Sequence, residues 1–453
     1  MERFNTIIVI FILFLVIIAS FIITETTSQL PLIIFLASIV LIITFLNTDV
    51  ALIILIFSML LSPELKAGAI TSREVALRID DIFLLVISFG WFAKMAVFKK
   101  LGLLKHTPLN FPILVYIFIC IVSTCIGLIA GEGKIIQSIF YNLKYIEYFL
   151  LFFIVVNNIH DINQIKLFIR CLLLTCLVVA IYAWWEHLHF GSFRRVSAPF
   201  EGKEGEANTL AGYLLLMMAI ITALAIYSKS LIQRVVLSGL LSFIILPFIF
   251  TFSRGAWIGF YPMYISMVAL TKKAKYMLLG ILIISILLIP SLIPKEAKYR
   301  VKSTFTYVRT YAIFGKELQL DEAIIARLDA VRGSLEKWYK RPLLGYGVPG
   351  FGAVGDNQYI RVLRETGIIG FIVWSWLIIM LYKSAWKTFK ICKGYNFAQG
   401  LSLGFIAGLT GLLIQSLSCE TFILIRIMEP FWFLAAIVVV LPEIYPKLTQ
   451  ETQ

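Results

Sequence analysis

The sequence predicts an all-α integral membrane protein: a bundle of about 12–14 transmembrane helices with one large extracytoplasmic loop. Three observations carry that prediction. The 453 residues are 60% hydrophobic and only 15% charged, where soluble domains run near ~45–50% apolar and ~25% charged. The apolar residues come in unbroken runs close to the ~20 residues that a bilayer-crossing helix needs. None of the runs shows the ten-residue alternation of a transmembrane barrel. Helices, which satisfy their own backbone polar groups, are then the remaining way across.

The first run, FNTIIVIFILFLVIIASFII from Phe4, is longer than a signal-peptide core and lacks a small-residue cleavage site. It is expected to stay as a membrane helix. Spans then fall at approximately 4–24, 30–46, 50–62, 80–98, 110–130, 139–157, 166–189, 208–227, 234–252, 255–271, 276–294, 367–387, 398–418 and 422–441. The 50–62 run is short and a candidate re-entrant segment, hence the range in the count. The chain divides into an N-terminal bundle (1–294), a loop with an amphipathic helix (295–366) and C-terminal helices (367–453).

The charges orient these spans. Lys94, Lys99, Lys100 and Lys105 fall in one loop, Lys272, Lys273 and Lys275 in a second, and Lys383, Lys387, Lys390 and Lys393 in a third. The positive-inside rule makes that side, with both termini, cytoplasmic. The formal charge of +14 is scattered between spans, so it reads as topology and not as a nucleic-acid surface. The other side carries Arg73, Arg78, Arg194, Arg195 and Arg254. It also carries segment 295–365, which holds 13 Lys/Arg against 8 Asp/Glu. Guanidinium is the fork-shaped donor suited to phosphate. Lysine inside and arginine outside points to an extracytoplasmic site for a phosphorylated ligand. The six cysteines sit in or beside apolar runs without metal-like spacing, as small hydrophobes do.

Within the loop, LDEAIIARLDAVRGSLEKWYKRP repeats Ile324, Ile325, Leu328, Val331, Leu335 and Trp338 at helical spacing, with Asp321 as N-cap and Pro342 as stop. Such a helix lies flat at the membrane surface or forms a lid on the bundle; both readings stand. LLGYGVPGFGAVGDN contains a formal GxGxxG (Gly345, Gly347, Gly350), but no strand precedes it and no helix opens at its end, so it reads as a turn. In DNQYIRVLRETGIIGF, a helix from about Asn357 groups Asp356, Arg361, Arg364 and Glu365 at the outer mouth of a span. Asp356 or Glu365 is a candidate general base for a sugar hydroxyl; the alternative is an Asp N-cap followed by a surface ion pair.

TFSRGAWIGF places Arg254 between Ser253 and Gly255 at the junction of two spans. An ionisable group at a membrane edge is a functional candidate, the alternative being a snorkelling anchor. Arg426 and Glu429, one turn apart, raise the same question and are expected to pair with each other. His187 and His189 in YAWWEHLHFG lie among interfacial aromatics, with a catalytic role as the alternative.

Taken in order, LRIDDIFLLV (77–86), NLKYIEYFLLFFIVVN (142–157), RRVSAPFEGKEGEANTLAGYLLL (194–216), TFSRGAWIGF (251–260) and RPLLGYGVPGFGAVGDNQYIRVLRETGIIG (341–370) resemble the O-antigen ligase and O-antigen polymerase (Wzy-like) family of bacterial membrane proteins. The resemblance covers nearly the whole chain. It implies a type-C glycosyltransferase bundle in the cytoplasmic membrane, acting on a glycan carried by undecaprenyl pyrophosphate at the outer face. The glycan passes to another lipid-linked chain (polymerase, for O-antigen, capsule or exopolysaccharide) or to a lipid or other acceptor (ligase). Neither a cofactor nor a metal is implied. The partners are the lipid-linked donor, the acceptor glycan or lipid, membrane lipids and other polysaccharide-assembly proteins.

Carried onto this chain, Arg195 and Arg254, with Arg194 beside them, bind the pyrophosphate and stabilise the leaving group. Asp356 or Glu365 activates the acceptor, and Arg361, Arg364, Tyr359, Asn357 and Arg426 contact glycan. Ligases of the family carry a histidine where this chain has Asp356, which moves the expectation toward a polymerase. The rival from another class is a lipid-linked oligosaccharide flippase, for which repeated halves and midplane polar sites at broken helices are the signature; no repeat is evident.

Overall fold

The protein is described by a computed structural model over residues 2–25, 30–65, 77–97, 104–191, 194–201, 205–292, 298, 308–313, 316–349 and 357–451. Eleven helices come first: α1 (Glu2–Glu25), α2 (Leu30–Leu46), α3 (Thr48–Leu61), α4 (Ile79–Val97), α5 (Asn110–Ile129), α6 (Ile135–Asn158), α7 (Ile162–Phe190), α8 (Ala207–Tyr227), α9 (Leu231–Phe250), α10 (Arg254–Leu270) and α11 (Lys275–Leu292). After the long loop come α12 (Glu322–Lys340), α13 (Gln358–Ile391), α14 (Asn396–Gln415) and α15 (Ile425–Glu451). Every apolar run predicted from the sequence coincides with one of these helices, and α12 is the amphipathic segment. Eight of them, α5–α9 and α13–α15, have a stretch long and apolar enough to cross a membrane. The protein is therefore a multi-pass helical membrane protein.

Two antiparallel ribbons interrupt the helices: β1 (Glu64–Leu65) with β2 (Leu77–Arg78), and β3 (Val308–Ile313) with β4 (Lys316–Asp321), in register Val308↔Asp321. Asp321 closes β4 directly before α12.

Short connections force neighbouring helices to alternate in direction, which gives the bundle two distinct ends. At one, Lys94 reaches Thr48, Gln164 donates to Asp49 (2.6 Å), Lys105 donates to the Ile159 carbonyl and Lys273 to Asn396. This lysine end lies opposite an arginine end, where Arg78, Arg195, Arg254 and Arg426 gather. Helix α3 is N-capped by Asn47 and buried along almost its whole length. It touches Gln164 at the lysine end and ends beside Arg78. The 50–62 run therefore passes through the bundle and does not turn back as a re-entrant segment.

Packing around α14 fixes the site. Gly400, Gly404 and Gly408 face α8 so closely that a Cβ at Gly404 would lie 2.8 Å from the Ile220 Cα. Gly259 of α10 does the same against the Gly411 carbonyl (2.7 Å). In lipid, where no hydrophobic force drives helices together, small residues at this spacing let backbones meet and supply the contact energy. They clamp α8 and α10, and hence the two arginine-bearing turns before them, against the same helix.

Helix α13 breaks at Gly367 (φ 66°, ψ −166°), at the boundary predicted between loop and C-terminal helices. The turn 342–349 fills the break. Ile368 N–H donates to the Pro342 carbonyl (2.8 Å), while Tyr346 and Gly347 N–H donate to the Arg364 and Glu365 carbonyls (2.9 and 2.8 Å). Gly345 and Gly347 take positive φ and press against the α13 and α5 backbones. Gly345 and Gly347 thus belong to a packed turn between helices, as the turn reading expected, and Gly350 lies outside the described residues.

Candidate functional site

The segment 194–198 runs beside the α9–α10 turn, with Val196 N–H donating to the Phe250 carbonyl (3.3 Å). That pairing brings Arg195 to Arg254. The Arg195 Nε donates to the Thr251 carbonyl (2.9 Å) and a terminal nitrogen donates to Asn208 Oδ1 (2.7 Å). Arg254 opens α10, directly after Ser253. Both arginines, with Asn208, Ser253, Gly255 and Ser418, line one small recess at the arginine end. The recess has a third guanidinium, that of Arg327, which α12 lays over it.

Helix α12 therefore serves as a lid docked on the bundle. Ser334 in its middle is buried and accepts from Arg364 (3.4 Å), and Tyr346 Oη donates to the Lys337 carbonyl (3.0 Å).

The field in the recess is positive for two further reasons. Helices α8 and α10 both begin there, so their unsatisfied N–H groups and the positive ends of their dipoles converge on it. Gly255 lets α10 approach so near that a Cβ would lie 1.7 Å from Ser418 Oγ. Phe252, also in the wall, takes φ +49°, a left-handed conformation that bulky residues avoid and that the surrounding packing must hold. Three guanidinium groups and two helix N-termini make a site for a multiply charged anion, with phosphate as the natural fit.

The second predicted cluster is buried. The Arg361 Nε donates to Glu365 (2.7 Å), and its guanidinium also pairs with Glu420 and lies over the Tyr141 ring. Tyr145 Oη donates to the other Glu365 oxygen (3.1 Å). The expected surface ion pair is thus an interior network, with Arg361 5% and Glu365 1% exposed. The cap of α13 is Asn357, whose Oδ1 accepts from the N–H groups of Tyr359 and Ile360, and not Asp356. Asn357 Nδ2 donates to the Leu417 carbonyl and Tyr359 Oη to that of Leu413 (2.7 Å). These two residues thereby tie α13 to the end of α14 beside Ser418. Asp356 lies outside the described residues.

Arg426 is the clearest correction. It does not pair with Glu429, whose carboxylate oxygens have no hydrogen-bond partner among the described residues. Instead it donates to the carbonyls of Leu60, Pro199, Ser62 and Phe200 (2.7–3.4 Å) and meets Glu201 at 3.5 Å. This is a clamp joining α3, α15 and the α7–α8 loop, closed to a glycan. Glu201, in that loop, is pushed up to about 7 by burial, against the opposing pull of Arg426.

Arg194 turns away from the recess toward Glu186 (3.7 Å) and the Phe190 ring. Arg78 is buried and paired with Asp80 (3.2 Å). Of the predicted outer arginines, only Arg195 and Arg254 converge on the recess, and Arg73 lies outside the described residues. His187 stacks on Phe250 and His189 packs on Trp185, in keeping with the interfacial reading.

Sequence reasoning missed Arg327, although a signal existed. Arg327 and Ser334 interrupt the apolar stripe of α12 at i+3 from Ile324 and Val331, which a helix lying in lipid would not tolerate. No family model matches the chain, and no curated protein is similar to it at a significant level.

Proposed function

We propose that the protein transfers a glycan from a polyprenyl pyrophosphate carrier to an acceptor sugar at the extracytoplasmic face of the membrane, as a polysaccharide polymerase. The observation that carries this is the convergence of Arg195, Arg254 and Arg327 on one recess at the arginine end. The lysine end, with both termini, then faces the cytoplasm. The resemblance to O-antigen polymerases and ligases supports the same reading and a type-C bundle of about 12–14 spans. In the proposed reaction the acceptor hydroxyl attacks the anomeric carbon with inversion. The C–O bond to pyrophosphate breaks, and the arginines stabilise the charge that develops on the leaving group. A base takes the hydroxyl proton. Asp356, one residue before the α13 cap, is the proposed base, since Glu365 is enclosed by Arg361 and Tyr145.

The test is transfer by purified protein in detergent, supplied with lipid-linked repeat units. Longer chains support a polymerase, and no product from any acceptor would sink the proposal. One observation favours a second reading, a proton-coupled transporter: charged residues lie well inside the bundle on α6, beyond the outer-face cluster. A transporter makes no product in detergent, so the same assay separates the two.

A further inference from the structure

Inside the bundle, below the arginine end, four carboxyl groups meet two cations. Asp80 and Asp81 open α4, Glu147 lies midway along α6 and Glu429 one turn into α15; each is 6% exposed or less. Arg78 Nε contacts Asp80, and its terminal nitrogen donates to the Met59 carbonyl (3.0 Å) and to Ser62. Ser62 Oγ donates to Asp80. Lys144 pairs with Asp81 and lies 3.4 Å from Glu147, so one ammonium joins the two carboxyls. Glu429 is fully buried on the helix that packs against α6, yet neither of its oxygens has a hydrogen-bond partner among the described residues. Arg426, on its own helix, is held by the loop carbonyls and Glu201.

Among the described residues of the cluster, four acids against two bases leave an excess of two negative charges inside the bundle. Neutralisation is the low-energy outcome for such groups. We infer that this cluster is a proton-binding site holding two protons: one on Glu429, and one shared between Asp81 and Glu147. The assignment closes the charge balance among these described residues. It explains why Glu429 tolerates full burial without an ion-pair partner among the described residues, and why Asp81 and Glu147 share one ammonium. The site joins α4, α6 and α15, and Arg426 extends from it to the loop that presents Arg195. Proton loss would draw Arg78 and Arg426 toward the acids and loosen that loop. The inference is independent of the proposed transfer reaction.

The test is infrared spectroscopy of the purified full-length protein in lipid nanodiscs at neutral pH, in light and heavy water. A carbonyl-stretch band of a protonated carboxylic acid, shifted by deuteration, is expected. Glu429→Gln should remove its larger, isolated component, and Asp81→Asn or Glu147→Gln the component of a hydrogen-bonded acid. Glu201→Gln serves as the control for the other buried loop acid. Because glutamine mimics a neutral acid, Glu429→Gln should reach the membrane at wild-type levels with unchanged thermal stability. The inference is overturned if the wild type shows no acid band, as it would if a metal ion neutralised the cluster instead. A band untouched by all three cluster variants overturns it too, and so does a Glu429→Gln protein that fails to accumulate, since an ionised carboxylate would then be required.

Discussion

Replacing Arg426 with methionine separates a structural arginine from a functional one. Arg426 is 2% exposed, so the methionine stem fills much of the same space while the guanidinium is lost. Four carbonyls, those of Leu60, Pro199, Ser62 and Phe200, lose a donor, and Glu201 loses its cation. Removing one partner of a buried ion pair costs about 3–5 kcal/mol. An orphaned buried acceptor adds about 1–3 kcal/mol where water cannot reach it. Since folded proteins are stable by only about 5–15 kcal/mol, Arg426→Met should lose most of its stability margin. Lysine restores a point charge but cannot span four carbonyls, so Arg426→Lys should fall between. Arg254→Met is the comparison: its side chain is half-buried in a polar recess, and its loss should leave stability near wild type while abolishing transfer. The assay is size-exclusion chromatography in detergent after a series of heat steps. Wild-type stability of Arg426→Met would refute the clamp, and unfolding of Arg254→Met would refute a purely ligand-binding role for that residue.

Three other outcomes follow from the same structure. Arg327→Ala removes one charge-assisted contact of about 1.5–3 kcal/mol, so the transfer rate in the detergent assay should fall about 10–100-fold with the fold intact. Gly367→Ala places a Cβ 2.2 Å from the Leu343 carbonyl oxygen at φ +66°. It should destabilise by more than the ~1–3 kcal/mol of backbone strain alone, whereas Gly131→Ala, at φ +78° with open space around it, should cost only the strain; both are read from the same heat series. Glu201 is raised from its ordinary 4.5 to about 7, so its neutral form favours the folded state. The stabilisation it supplies is complete below the ordinary value and lost as pH rises through about 7. Thermal stability should fall over that window in the wild type, and Glu201→Gln should remove the Glu201 part of that dependence.

The helices were legible because lipid makes one demand, unbroken apolar length, and the residues state it directly. Even the break at Gly367 fell where the apolar run begins. The partners of charged residues were less legible, since sequence spacing suggests neighbours on one helix and a bundle supplies neighbours from others. Arg426 and Glu429 are one turn apart and still part company, because four carbonyls at the end of α3 and in the α7–α8 loop outbid a single carboxylate for a five-donor fork. Arg195 and Arg254 were found together because both flank turns at the same end. The cluster around Lys144 was overlooked for the opposite reason: a lysine and a glutamate three apart within an apolar run look like a local pair until α4 brings Asp81 to them.

Burial then sorts the arginines by what they can do. A guanidinium buried against carbonyls and carboxylates, as in Arg426, Arg361 and Arg78, fixes one element against another. Arg195, Arg254 and Arg327 are only half-buried, come from three separate segments and share a recess that two helix N-termini also face. Like charges brought together from separate segments repel, an anion between them lowers that repulsion, and Arg327 comes to the recess from α12. An anion in the recess should therefore hold α12 down, and its departure should favour lifting. On the proposed function, that anion would be the carrier's charged headgroup, and α12 would move with its arrival and departure.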